Sequence, residues 1–352
     1  MIYIRTDANS IIASGHVMRC LTIAEELIRH SEKVCFVVSD EESAQLIYNC
    51  KIPISVIIMN DNWNMVDIDY EYQFFANIVD KDVLLVDSYY ISSLYLSEMK
   101  KLFLVVTFDD LFSEVKEADV IINYNLFYDI FDYKKRYNDK NCKLLLGGKY
   151  VPLRQEFELV KAQESVRKFE QPSILVVCGG GDAKNMILCS LQTLRERDRL
   201  LFESISWKVV IGKYYPYRKQ LEEFVKDNNN IELYININYM AQVMSECDLC
   251  ITAASTVLYE CCSMLLPALF FVTAEDQKYD KEVFNKIGMI YCGDFIKEAK
   301  SALHKLGDVL FDVAFDKEKQ QSMKNLMKGK IDGLGAKRIA NTIIKIKRDR
   351  KW

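Results

Sequence analysis

Histidine and proline are scarce in this chain, three and five residues of 352. Any chemistry that needs an imidazole must fall on His16, His30 or His304. No long proline- or glycine-rich linker divides the chain. A basic excess is missing too: 46 Lys and Arg stand against 50 Asp and Glu, a formal net charge of −4. A nucleic-acid partner would call for a strong positive balance, so none is expected. No apolar run reaches the roughly 20 residues that cross a bilayer, and no integral membrane segment is expected. The opening MIYIRTD reads as a short strand, not as a secretory leader with a basic head and a long apolar stretch. The expectation is a cytoplasmic protein.

Cysteine is plentiful, but a disulfide pattern is lacking. The eleven cysteines are odd in number, scattered, and mostly set in apolar runs such as VCFVV and ILVVC. Buried thiols in a reducing compartment fit that usage. Cys247-x-x-Cys250 has a metal-like spacing but no second pair or nearby histidine, so it reads as the approach to a strand. The strand-end acids Asp87 and Asp109-Asp110 lack an evident third ligand. No metal and no cofactor is expected.

What is present is a repeated α/β rhythm. Met1–Arg5, Val34–Ser39, Ser55–Met59, Val83–Val86, Leu102–Phe108 and Val120–Asn123 are short Val/Ile/Leu-rich runs of the kind buried on both faces of a sheet. Between the first two, His16–His30 carries apolar residues at helical spacing. The pattern restarts with Ser173–Cys178, followed by further strands at Trp207–Ile211, Ile231–Tyr234, Asp248–Thr252 and Ala268–Val272. Helices are predicted over Lys184–Arg195 and Ser255–Met264, and over a charged stretch, Glu158–Glu170. Asn325–Lys347 reads as a lysine-rich helix with a solvated face. The fold class is therefore α/β, with two Rossmann-like domains over 1–157 and 158–352 facing a cleft. A cleft between two such domains is the usual place for a substrate.

Three strand-end loops look suited to ligands. Asp7, Asn9, Ser10, Ser14 and Gly15 separate the first strand from a helix whose first turn holds His16, with Arg19 three residues on. A histidine there can take a proton from water or an alcohol. By spacing alone it can equally be a surface histidine after a capping turn. Gly179-Gly180-Gly181 after Cys178 permits close backbone approach to a phosphate, though it is neither a dinucleotide fingerprint nor a Walker loop. A tight turn is the plainer alternative. Ser255 and Thr256 open a helix, and Glu260 on it can accept both hydroxyls of a ribose or simply face solvent. Gln277, in the Glu275-Asp276-Gln277 run after the last of these strands, can close a pocket. His30 and His304 suit structural roles.

Taken together, these loops resemble a known family. IRTDAN…SGHVMRCLTIAEEL, VDSY, FDD, LLGGKYVPLRQEF, CGGGDAKN, CDLCITAASTVLYECC and AEDQ are similar to the UDP-2,4-diacetamido-2,4,6-trideoxy-β-L-altropyranose hydrolases of pseudaminic acid biosynthesis. Those are related to MurG-like GT-B glycosyltransferases and to the spore-coat protein SpsG. The resemblance runs from residue 4 to about 280 and implies a GT-B fold. It implies a metal-independent cleavage of the anomeric C–O bond of a UDP-sugar by water, with inversion. His16 falls on the catalytic base and Glu260 on the ribose-binding position. Asp7, Gly15, Arg19, Tyr89 and Gln277 would meet the sugar, and Gly179, Gly180, Gly181, Ser255 and Thr256 the nucleotide. Three positions depart from the family pattern: Ala13 for a glycine, Ser88 for a histidine, and Ala253-Ala254 for Gly-Gly. A glycosyltransferase using the same groups, and a non-catalytic nucleotide-sugar binder, are the competing readings.

Overall fold

The computed structural model describes residues 1–349 except 10, 11, 13, 51, 139–140, 162–170, 180 and 214. The chain forms two compact units, Met1–Arg154 with Gly333–Trp352, and Gln155–Asp332.

The first unit holds a parallel seven-stranded sheet: β1 (Ile2–Thr6), β2 (Val34–Val38), β3 (Ser55–Ile58), β4 (Val83–Asp87), β5 (Leu104–Phe108), β6 (Val120–Asn123) and β7 (Lys143–Leu146). Their order is β3-β2-β1-β4-β5-β6-β7. The helices between them are α1 (Gly15–Arg29), α2 (Glu41–Tyr48), α3 (Ile68–Ala76), α4 (Ser93–Lys100) and the single turn α5 (Tyr133–Arg136). Asp40, Asp67 and Ser92 cap α2, α3 and α4 by accepting a first-turn N–H. Every residue of β1, β2 and β4 is buried, as expected of strands covered on both faces. On one face Tyr3, Phe75 and Phe103 meet edge to face, with centroids 5.3–6.0 Å apart.

The second unit repeats the plan with six parallel strands: β8 (Ser173–Val177), β9 (Ser206–Ile211), β10 (Ile231–Ile235), β11 (Leu249–Ala253), β12 (Ala268–Val272) and β13 (Ile290–Asp294). Their order is β10-β9-β8-β11-β12-β13. Its helices are α6 (Gln155–Lys161), α7 (Met186–Arg197), α8 (Arg199–Glu203), α9 (Arg218–Lys226), α10 (Met240–Ser245), α11 (Thr256–Met264), α12 (Asp280–Lys286), α13 (Ala299–Phe315) and α14 (Lys317–Met327). Strand direction of progress reverses between β1 and β4 in one sheet and between β8 and β11 in the other. Ligands of open α/β sheets bind outside the carboxyl ends of strands at such a switch point.

Two features differ from the sequence reading. The predicted helix Asn325–Lys347 is broken: α14 stops at Met327, and a new helix, α15 (Gly335–Asp349), follows. Nor is α15 part of the second domain. Its Ala336, Ile339, Ala340, Ile343 and Ile344 are buried and it lies against α1, so the chain returns to complete the first unit. Helical periodicity shows an apolar stripe but not what covers it. The return is tight: a Cβ on Gly335 would sit 2.1 Å from the Val151 carbonyl oxygen, so only glycine fits. The division at 157/158 thus becomes a discontinuous one. Secondly, β7 and β13 went unread, because Gly147-Gly148 and Gly293 leave each only three consecutive apolar residues within the strand.

Candidate active site

The first switch point brings Asp87 to His16 and Arg19, two neighbours on one helix that are far from it in sequence. The β1–β4 register sets Thr6 opposite Asp87, so the loop after β1 emerges beside the end of β4. That loop leads to α1, where His16 occupies the second position. Its Nδ1 lies 2.8 Å from Asp87 Oδ1. A carboxylate only accepts, so Nδ1 carries the proton and Nε2 holds the lone pair. Arg19, one turn on, forks onto the same carboxylate, with Nε 2.6 Å from Oδ2. It also reaches Tyr124 Oη at 2.9 Å and Asp110 at 2.8 Å, and its guanidinium lies 4.1 Å over the Phe108 ring.

All three side chains are largely buried. Burial by itself would raise the Asp87 carboxyl, but the charges of Arg19 and His16 and their hydrogen bonds overcome it and hold it well below the usual carboxylate range. Asp87 is therefore a fixed anion that orients the imidazole and would stabilise it once protonated. Tyr89 stands edge-on to His16, centroids 4.6 Å apart, with its hydroxyl 3.4 Å from Asp110. Asp7, Ile12, His16, Asp87 and the Ser88–Tyr90 turn line one small hollow. A Cβ built on Gly15 would meet nothing within 4 Å among the described residues, which leaves the start of α1 open beside the imidazole.

Other sugar-site candidates of the first unit are placed differently. Asp7 lines the hollow, but its carboxylate accepts the Ser39 N–H at 2.6 Å and pairs with buried Arg5, which itself pairs with Glu71. Arg19 spends its donors on Asp87, Asp110 and Tyr124, so it orients the site from behind. Asp87, weighed at sequence level only as a metal ligand, proves to be the histidine's partner. Its signal was its place at the end of a buried strand paired with β1. Asp109 Oδ1 accepts the Phe112 N–H, and among the described residues no three His, Cys, Asp or Glu side chains are grouped to hold a metal ion.

In the second unit the nucleotide-type loops also meet at the switch point. Val177 of β8 lies beside Val210 on one side, and Val176 beside Ile251 of β11 on the other. Gly179 has φ +65° and a Cβ there would come 4.0 Å from Ser255 Oγ, so the glycine turn and the start of α11 adjoin. Ser255 caps α11 through the Val257 N–H at 3.3 Å, and Thr256 is exposed in its first turn. Glu260 is half-buried on the same helix. Gly180 lies outside the described residues, as do Ser10 and Ala13. Asp182 changes the phosphate picture. Its carboxylate accepts the N–H groups of Met186 and Ile187, both at 2.8 Å, and so already fills the N-terminus of α7. Beside β8 and β11 that leaves Gly179 and the N-terminus of α11, the kind of place an anion can bind. Gln277 uses its amide oxygen on its own loop, accepting from Thr273 and Ala274 N–H groups at 2.8 and 3.2 Å.

None of the eleven cysteines is joined in a disulfide, and eight of them are buried. Burial pushes the Cys20, Cys178 and Cys250 thiols well up, so they stay protonated and inert at neutral pH. Cys247 gives its thiol to the Val243 carbonyl at 3.2 Å, ahead of β11. No helix among the described residues is long and apolar enough to cross a membrane.

Two Rossmann-like units with loops gathered at their switch points give the chain a GT-B fold. Its backbone superposes on MurG of Acinetobacter baumannii with a TM-score of 0.65, over 98% of this chain and 99% of that one, at 15% identity. Among curated sequences, it is 27% identical over 270 residues to the UDP-2,4-diacetamido-2,4,6-trideoxy-β-L-altropyranose hydrolase of Campylobacter jejuni, covering 76% of this chain and 88% of that enzyme. It is also 28% identical to an uncharacterized protein of Methanocaldococcus jannaschii, over 89% of this chain but 65% of that longer protein. No family model matches. The resemblance drawn from the sequence motifs is thus present in the comparisons as well.

Proposed function

We infer that the chain hydrolyses a UDP-activated 2,4-diacetamido-2,4,6-trideoxy sugar, releasing UDP and the free sugar. The observation that carries this reading is the His16–Asp87 contact, locked by Arg19. It leaves an imidazole with Nε2 as its basic nitrogen in a hollow open at the start of α1. In the proposed step His16 takes a proton from water as the water oxygen bonds to the anomeric carbon. The bond to the UDP oxygen breaks, with inversion, and the electron pair leaves with UDP. Asp87 stabilises the imidazolium that forms. The Gly179–Gly181 turn and the α11 N-terminus, with Ser255 and Thr256, would take the diphosphate charge, and Glu260 the ribose. Tyr89 and the backbone at Gly15 would contact the sugar. Gln277 is left as a loop brace.

A glycosyltransferase would place a sugar hydroxyl where the water stands, and the MurG-like fold favours that second reading. The two part on whether an acceptor is needed. His16→Ala should lower kcat by about 10²–10⁴-fold while leaving UDP affinity nearly unchanged, because the base acts only in the chemical step. Calorimetry with UDP beside turnover assays checks this, and equal loss of UDP affinity would make His16 a structural residue.

A further inference from the structure

Asp87 by itself cannot supply the charge that an imidazolium at His16 needs, because Arg19 claims the same carboxylate. Arg19 Nη2 donates to Asp87 Oδ1, the oxygen that His16 Nδ1 meets at 2.8 Å. That leaves Nη2 3.3 Å from Nδ1. Both atoms donate to the one oxygen, so no hydrogen bond joins them, and the guanidinium charge stands against the imidazole. Arg19 and Asp87 alone are a neutral pair, and an imidazolium beside them would be an uncompensated buried cation. Asp110 changes the count. Its Oδ2 lies 2.8 Å from Arg19 Nη1, and the two side chains are 10% and 8% exposed. Burial would strip the guanidinium of its proton, but Asp110 and then Asp87 outweigh it and hold Arg19 well above its ordinary value. The three groups therefore carry one net negative charge while His16 is neutral, and the four together carry none once it is protonated.

We propose that Asp110 is a positioning residue for the reaction: through Arg19 it supplies the second negative charge, which frees Asp87 to balance the imidazolium formed at His16. Its other partners, the Tyr89 hydroxyl and the Asn125 amide, each 3.4 Å away, are neutral. Around His16 and Arg19 stand Asp7 after β1, itself paired with Arg5, which also holds Glu71, then Cys20 on α1, Tyr89 after β4, Asp109 at the end of β5 and Tyr124 after β6. Burial pushes the Cys20 thiol well up and the Tyr124 hydroxyl up to about 12, so both stay uncharged at neutral pH. It pushes the Asp109 carboxyl up as well. Among the described residues, Asp110 is the carboxylate that shares the Arg19 guanidinium with Asp87. The inference rests on the hydrolase reading for what the proton transfer serves, but not for the charge balance at His16.

Removing the charge of Asp110 disfavours the imidazolium. In full-length Asp110→Asn the acid limb of kcat/KM against pH should therefore move down by about one unit, a tenfold change in the balance between imidazole and imidazolium. A weaker base also takes the proton less readily, so the plateau above the limb should fall, by less than about tenfold. The deficit against wild type should then shrink as pH drops below the limb, whereas a merely structural role would lower activity equally at every pH. Asp110→Glu keeps the charge and should return the limb to its wild-type place. Tyr124→Phe removes a neutral partner of the same Arg19 nitrogen and should leave the limb unmoved. Where the amide variant does not fold, Asp110→Ser, which admits water against the guanidinium, takes its place. A second readout needs no turnover. The chain has three histidines, so loss of a signal in His16→Ala assigns the His16 imidazole in proton NMR. In Asp110→Asn its titration midpoint should fall by about the same one unit. An unmoved midpoint, or an activity deficit constant across pH, overturns the role of Asp110. A shifted midpoint in a protein that turns over no UDP-sugar would overturn hydrolysis and keep the coupling.

Discussion

At the residue scale, His16, Arg19 and Asp87 account for one another. Arg19 without Asp87 and Asp110 would be a buried unpaired cation, and His16 without Asp87 would have no fixed tautomer. Asp87→Asn keeps the shape and removes the charge, so activity should fall by about 10²–10⁴-fold with His16 still in place. The same variant has a pH signature in stability. In the unfolded chain Asp87 titrates near the ordinary value of about 3.9, and in the folded chain well below it. The stabilisation from its charge is therefore fully present above the unfolded value and is lost as pH falls through the depressed one. In urea titrations the gap between wild type and Asp87→Asn should be widest at neutral pH and narrow as pH drops below about 4. A gap constant from pH 7 to pH 3 would mean that Asp87 is not charge-paired. His16 and Arg19 were legible in the sequence because they sit on one helix face after a strand. Asp87 was visible only as a strand-end acid, since 71 residues separate it from His16 and only the sheet register joins them.

At the scale of elements, the buried central strands were readable because both faces are covered and the apolar runs are continuous. The edge strands β7 and β13 were not, because glycines cut their apolar runs to three residues. The role of α15 was hidden for a different reason. Its apolar stripe is clear in GAKRIANTIIKIKRD, yet the lysines and arginines on its other side suggest a solvated helix. The structure seats the stripe on α1, the helix that carries His16 and Arg19. Lys347 then binds Glu32 at 2.6 Å, and Arg338 donates to the Lys149 carbonyl at 2.8 Å. Ile343 is fully buried in that seam. Ile343→Asp should cost about 3 kcal/mol or more and loosen the first unit. Amide exchange should speed up along α1 and leave β8 and β11 protected. Uniform loss of protection in both units would show that α15 does not belong to the first unit alone.

At the scale of the whole molecule, the repeated α/β rhythm gave away two Rossmann-like units, and the strand order puts each unit's candidate ligand loops at its switch point. What the rhythm could not give is the division of the chain, because the last helix crosses back to the first unit. Nor do the shared loops distinguish water from a sugar hydroxyl as the nucleophile, since both reactions need the same base and the same leaving-group donors. The direct test is to incubate the purified protein, with chelator and no acceptor, with UDP-2,4-diacetamido-2,4,6-trideoxy-β-L-altropyranose in ¹⁸O-labelled water. Mass spectrometry of both products should find UDP unlabelled and one ¹⁸O at the anomeric carbon of the free sugar. Label in the UDP, or UDP release only when an acceptor sugar is supplied, would contradict hydrolysis at the anomeric carbon.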